Sequence, residues 1–144
     1  MAKAKVKLHL DHVMLRVEGA TDEVLHAVAL QVEGTAKRNI VSNDQVDTGF
    51  MLNSIYTESE VGSTFGQAWR PGTYPSRRTG DMKEMDAAPK ARLPRLFSAA
   101  LVHVAAVYAI YQEMMEPFLR PAAQEVAGYS KGIAESFYRR ALHD

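Results

Sequence analysis

The spacing of apolar and polar residues changes several times along the chain. Val6, Leu8 and Leu10 share one parity, and Val13, Leu15 and Val17 share the other. Alternation of this kind predicts a strand over 12–17, with a bend near Asp11 where the parity shifts. Glu18-Gly19-Ala20 would end it. Thr21 then reads as a helix N-cap, with Asp22 and Glu23 at the positive end of the helix dipole. From there to about Asn39 the period is helical, because Leu25, Val28, Val32 and Ala36 recur at spacings of three and four. Such a helix is roughly 27 Å long. Lys37 and Arg38 fall in its last turn, where cations are favoured.

A polar break follows at Ser42-Asn43-Asp44-Gln45, and after it comes the stretch VDTGFMLNSI, residues 46–55. Residues 55–61 alternate again and predict a strand. Residues 62–95 are the least regular part, holding four of the nine glycines and four of the six prolines. That is long for a connection and marks a functional or binding-ordered loop. Residues 96–111 are apolar and partly β-branched, which suits one or two core strands, with a helix as the alternative for the Ala-rich centre. Pro117 and Pro121 bracket the start of a second long helix, along which Leu119, Ala122, Val126, Tyr129, Ile133 and Phe137 recur at helical spacing. Gly128 and Gly132 within it each cost about 1 kcal/mol against Ala, and predict close approach of another backbone. The order predicts one α+β domain over 1–144: a small, mainly antiparallel sheet packed against two long helices, with a long central loop.

Composition narrows the class. A chain of 144 residues with 47% hydrophobic content can bury a core without staples. With no cysteine there is no disulfide, thiolate zinc site or thiol nucleophile. Lys plus Arg equals Asp plus Glu at 17 each, which argues against a dedicated nucleic-acid or membrane-surface binder. Asp11 and two histidines interrupt the lysine-bearing N-terminal stretch, so it does not read as a signal peptide. The longest apolar run, residues 99–111, is too short to span a membrane.

Asp47-Thr48-Gly49 is the triplet that carries the catalytic carboxylate of aspartic proteases. That chemistry needs two carboxyls sharing a proton. The one similar triplet, Arg78-Thr79-Gly80, has Arg in place of the acid, so only a homodimeric protease would remain. The structural reading covers every residue of the stretch. Asp47 or Thr48 caps a short helix, Gly49 lets the backbone turn, Phe50 and Ile55 pack inward, and Asn53-Ser54 close the turn. His9 and His12 would face opposite sides of a strand, which is poor for joint metal ligation. His103 stands alone in an apolar run and reads as a hydrogen-bonded core or interface residue. No catalytic, cofactor or metal site is assigned.

Residues 70–95 hold seven cations (Arg70, Arg77, Arg78, Lys83, Lys90, Arg92, Arg95) against three anions (Asp81, Glu84, Asp86). Such a loop could touch nucleic acid or an acidic partner. With Trp69 and Tyr74 beside the arginines, its composition is that of an interface anchor. Met114 and Met115 are a further adaptable contact point.

Three motifs in order carry a family resemblance. A helix ending Ala36-Lys37-Arg38-Asn39 is followed by Val46-Asp47-Thr48-Gly49 and then Ser54-Ile55. Next comes Tyr108-Ala109-Ile110-Tyr111-Gln112-Glu113, and then Pro117-Phe118-Leu119-Arg120-Pro121-Ala122. Across residues 21–142 this resembles the tail-completion or neck proteins of long-tailed bacteriophages, the minor tail protein Z type. The chain departs from the family where Met114-Met115-Glu116 replaces a Gly-Thr-containing loop, and in the length of 62–95. The resemblance implies a non-enzymatic virion protein without cofactors. Copies would form a ring, commonly hexameric, at the head–tail junction. Its neighbours would be the tail terminator or tail tube protein and the head connector or stopper proteins, with genomic DNA passing non-specifically through the lumen. It implies assembly in the host bacterial cytoplasm. A tail terminator or head-side stopper is the nearest alternative. The 62–95 segment is expected to reach over a neighbouring subunit.

Overall fold

The computed structural model describes residues 10–94 and 98–143. The first element is helix α1, Leu10–Ser42. Its 33 residues are roughly 50 Å long. The strand expected over 12–17 is instead the start of this helix. No proline interrupts it, and Val13, Met14 and Leu15 are all largely exposed, so neither parity is buried. Alternation predicts a strand only where one face meets a core. Thr21 lies mid-helix rather than capping it. Its hydroxyl donates back to the Val17 carbonyl at 2.8 Å and lies 2.8 Å from the Tyr138 hydroxyl.

Beyond α1 come a one-turn helix α2 (Phe50–Asn53) and strand β1 (Ile55–Ser59). A 3-10 turn at Phe65–Gln67 leads to strands β2 (Gly72–Pro75) and β3 (Met82–Met85). Strand β4 (Ala100–Val104), helix α3 (Ala109–Met115) and helix α4 (Leu119–His143) complete the order. The α+β class with two long helices holds. The strands form two separate two-stranded antiparallel sheets, β1–β4 and β2–β3. The first pairs Ile55 with Val104 through Ser59 with Ala100, and the second pairs Gly72 with Met85 through Pro75 with Met82. The chain after β3 ties the two together: Ala88 N–H donates to the Ala105 carbonyl at 2.7 Å, and Ala87 bridges Ala106. Residues 72–85 of the expected loop are therefore a folded hairpin with its own turn.

Helices α1 and α4 run antiparallel. Asn39 meets Phe118 near one end, and Thr21 meets Tyr138 near the other. The buried described residues of α1 are Ala20, Val24, Ala29, Glu33, Thr35, Ala36 and Ile40, so three of its seven inward positions are alanine. Alanine lets neighbouring elements approach closely. Leu25, Val28 and Val32, expected to lead the stripe, are only half-buried. On α4 the buried contacts are Ala122 and Val126, whereas Tyr129 points outward. Gly128 and Gly132 do not mark a close approach, because a Cβ at either would meet nothing within 4 Å. The main core gathers Ile40, Phe50, Met51, Ile55, Ala106, Phe118 and Ala122.

One buried charge ties α1 to the first sheet. Glu33, only 7% exposed, accepts hydrogen bonds from the Thr57 hydroxyl (2.7 Å), the Thr64 hydroxyl (2.9 Å) and Lys37 (2.6 Å). The Thr64 oxygen in turn accepts the Thr57 N–H at 2.8 Å. Buried charges persist only when their lone pairs are met in this way. Glu33→Ala should lower unfolding free energy by on the order of 2 kcal/mol, since the buried Thr57 hydroxyl and the half-buried Thr64 hydroxyl lose a charged acceptor. Lys37→Ala should cost less than about 1 kcal/mol, because that side chain is partly solvated. Equilibrium urea unfolding of both variants checks the contrast.

Candidate functional site

The structure brings the three motifs to one seam, where α1 ends and α4 begins. Asn39 donates its side-chain amide to the Phe118 carbonyl at 3.0 Å. Asn43 donates to the Pro117 carbonyl at 3.3 Å, and Gln45 to the Glu116 carbonyl at 2.9 Å. From the other side, Glu113 accepts the backbone N–H groups of Phe118 (2.8 Å), Leu119 (2.9 Å) and Arg120 (2.9 Å). A helix start leaves its first N–H groups without intrahelical partners. Glu113 satisfies three donors there, and Pro121 has no N–H to satisfy. This explains the glutamate and the Pro-Phe-Leu-Arg-Pro run together: one is the cap of the other. Burial pushes the Glu113 carboxyl up, but the three N–H groups and Arg120 outweigh it and leave its pKa lowered.

Gly49 adopts φ 78°, in the left-handed region that favours glycine, and α2 begins after it. The Thr48 hydroxyl accepts the Phe50 N–H at 3.2 Å, so Thr48 makes the local turn bond. Ser54 is fully buried. Its hydroxyl donates to the Met51 carbonyl (2.9 Å) and accepts the Ala106 N–H (3.1 Å), while its carbonyl takes the Ala105 N–H (3.0 Å). It joins the end of α2 to the exit of β4. Beside it Ile55 enters the core with Phe50 and Phe118, and Val46 packs against the rim of that cluster.

Asp47 does not cap α2. Its carboxylate clamps the hairpin, accepting hydrogen bonds from Lys83 (2.6 Å), Ser76 (2.5 Å) and the Arg78 N–H (3.2 Å). Its carbonyl takes the Arg77 N–H at 3.0 Å. Hydrogen bonds from Lys83 first, then Ser76, hold its pKa far below the ordinary carboxylate range. Burial raises the pKa of the neighbouring Tyr108 phenol, opposed by bonds to the Met51 backbone and Thr48 and helped by the Asp47 charge. Ser76 and Lys83 were not legible as partners of Asp47 because 28 residues and more separate them in sequence. A cleft of about 600 Å³ opens here, lined in part by Asp44, Asp47, Arg78, Lys83, Tyr108 and Glu116. Its charges are of both signs and already face one another.

The expected interface residues divide. Trp69 stacks on Tyr74 with ring centroids 4.8 Å apart and packs beside Gly49, yet remains 38% exposed. Tyr74 is half-buried, and its hydroxyl donates to the Arg70 carbonyl at 2.6 Å. Arg70 lies over the Phe65 ring, and Arg78 bonds the Asp44 carbonyl. Arg77 is exposed. Of the loop's cations, Lys83 pairs with Asp47 and Lys90 with Glu58, so the basic excess is partly neutralised. Arg95 lies outside the described residues. Tyr111, Met114 and Met115 project from α3 at 67%, 77% and 81% exposure, joined by Val107 and Ile110. His12 lies on α1, not a strand, and His9 lies outside the described residues. No cluster of three metal-ligating side chains occurs among the described residues. No described helix is long and apolar enough to cross a membrane.

No protein-family model, curated protein or solved structure matches the chain.

Two substitutions test the seam. Glu113→Gln should cost about 1 kcal/mol as a lost cap. The lowered Glu113 pKa contributes stability that is present above the unfolded value of about 4.3 and is lost as pH falls through the folded value. The wild-type advantage over the Gln variant should therefore shrink below about pH 4, as read by thermal melts across pH. Asp47→Asn should loosen the hairpin, so that trypsin cuts after Arg77 and Arg78 faster than in wild type, with α1–α4 helicity unchanged by circular dichroism.

Proposed function

We propose that this chain is a non-enzymatic structural protein of the head–tail junction of a long-tailed bacteriophage. Copies form a ring, hexameric in this reading, that completes the tail and joins it to the head connector. The observation that carries the reading is what the motif residues do. Asp47, Thr48, Ser54 and Glu113 are all engaged in holding hairpin, sheet and helix start together, so the chemistry of the motif residues is architectural. The side chains left over, on the outer face of α3, are apolar and exposed, as contact surfaces between subunits are.

Ring closure needs heterologous contacts, in which one surface meets a different one on the neighbour. The α3 face with Tyr111, Met114 and Met115 supplies one such surface, and the hairpin edge with Trp69 and Arg77 supplies another. The partners in this reading are further copies, the tail terminator or tail tube protein, the head connector or stopper proteins, and DNA held non-specifically in the lumen. Its place is the virion, after assembly in the host bacterial cytoplasm. A tail terminator or head-side stopper ring would use the same surfaces.

Light scattering coupled to size exclusion, with electron microscopy of the peak, tests the proposal. A closed ring is expected, and a monomer at all concentrations overturns it. Met114→Asp combined with Met115→Asp should leave the melting temperature nearly unchanged, since both side chains are exposed. The same variant should shift the ring peak to the protomer.

A further inference from the structure

Among the described residues, the first sheet has one edge that is bonded and, along β4, one edge with no partner strand. On β1, Thr57 and Ser59 turn their backbone groups away from β4. The Thr57 carbonyl accepts the Thr64 N–H at 3.0 Å, and the Ser59 N–H donates to the Gly62 carbonyl at 2.9 Å. In an antiparallel ladder these directions alternate. Tyr56 and Glu58 therefore face β4, and their register partners are His103 and Leu101. It follows that Ala100, Val102 and Val104 point their N–H and C=O groups to the other side of β4. No described strand pairs with them there. Sequences usually blunt such an edge with lysine or proline. Ala-Leu-Val-His-Val has neither.

Beside this edge lies an apolar groove of about 320 Å³. Val102, Val104, Val107, Ile110 and Leu119 line it. His103 lines it too, and its buried Nε2 has no hydrogen-bond partner among the described residues. An unpaired strand edge with an apolar wall accepts an extended segment whose alternate residues are apolar. The chain contains such a segment. In Ala2-Lys3-Ala4-Lys5-Val6-Lys7-Leu8-His9, every second residue is apolar and every other one basic.

Reach decides which copy of that segment can use the groove. Val102 pairs with Thr57, whose hydroxyl is bonded to Glu33 of α1. From Leu10 to Glu33 along α1 is roughly 35 Å. Residues 2–9, fully extended from Leu10, cover at most about 28 Å. Ala4, at most about 21 Å of extended chain from Leu10, falls short of Val102 in its own chain. We propose that residues 2–9 of one copy add as a strand to the β4 edge of a neighbouring copy, with Ala4, Val6 and Leu8 against the groove. This rests on the ring reading and names one of its contacts. The contact is heterologous, arm to edge, as a closed ring requires.

The test uses the full-length chain. Val6→Asp combined with Leu8→Asp alters only the arm, so the α1–α4 fold should persist by circular dichroism. This variant should run as protomer where wild type runs as the assembly. A fluorescent peptide of residues 1–10 should bind the variant, whose groove is then free. The same peptide carrying both aspartates should not bind, and Val102→Pro should abolish binding. Unchanged assembly of the arm variant, or no binding of the wild-type peptide, overturns the arm contact and leaves the ring reading standing. A monomeric wild-type chain overturns the ring reading and the second copy as occupant together.

Discussion

The structure depends on how two long helices are allowed to stop and start inside a packed seam. Where α1 ends and α4 begins, backbone donors and acceptors would otherwise be left unpaired beside Phe50, Ile55 and Phe118. Each unpaired buried group costs about 1–3 kcal/mol. The solution is a set of side-chain bonds in both directions. Asn39, Asn43 and Gln45 donate to the carbonyls of 116–118, and Glu113 accepts the amides of 118–120. With those met, α4 can pack antiparallel on the inward face of α1, and the sheet and hairpin close over the far side.

This accounts for what the sequence made legible. The long helical periods after Thr21 and after Pro117 were readable because apolar residues recur at three and four. The strand at 55–59 and the helix-start signal at Pro117–Pro121 were readable for similar local reasons. The 12–17 segment misled because alternation says nothing about whether a core is present. Its apolar residues lie on an exposed stretch of helix, where good helix formers and the absence of proline decide. The hairpin at 72–85 was hidden by its glycines and prolines, which mark a turn but not what the turn binds.

Within the site, local chemistry was legible and distant chemistry was not. Thr48 and Gly49 do what their types suggest within three residues of themselves. Asp47 was expected to act locally and instead acts on Ser76, Arg78 and Lys83. Glu33 is the same case, a charge on a helix whose partners, Thr57 and Thr64, lie on another element. A single sequence gives no distance between such residues, so the role of a carboxylate could be narrowed but not assigned.

The same reasoning separates the two halves of the surface. Polar side chains near the seam are already bonded within the chain: Asp47 to Lys83, Glu58 to Lys90, Arg78 to the Asp44 carbonyl. Forming new contacts through them would first break existing ones, at a cost the new contacts must recover. The apolar face of α3 and the open edge of β4 carry no such cost, since Met114 and Met115 face solvent and the edge amides have no described partner strand. Burying the apolar side chains is favourable by about 25 cal/mol per Å² of apolar surface, provided the edge amides gain partners as they are covered. Association is therefore better served by these surfaces than by the cleft at Asp47, even though the cleft is larger and holds the more conspicuous charges.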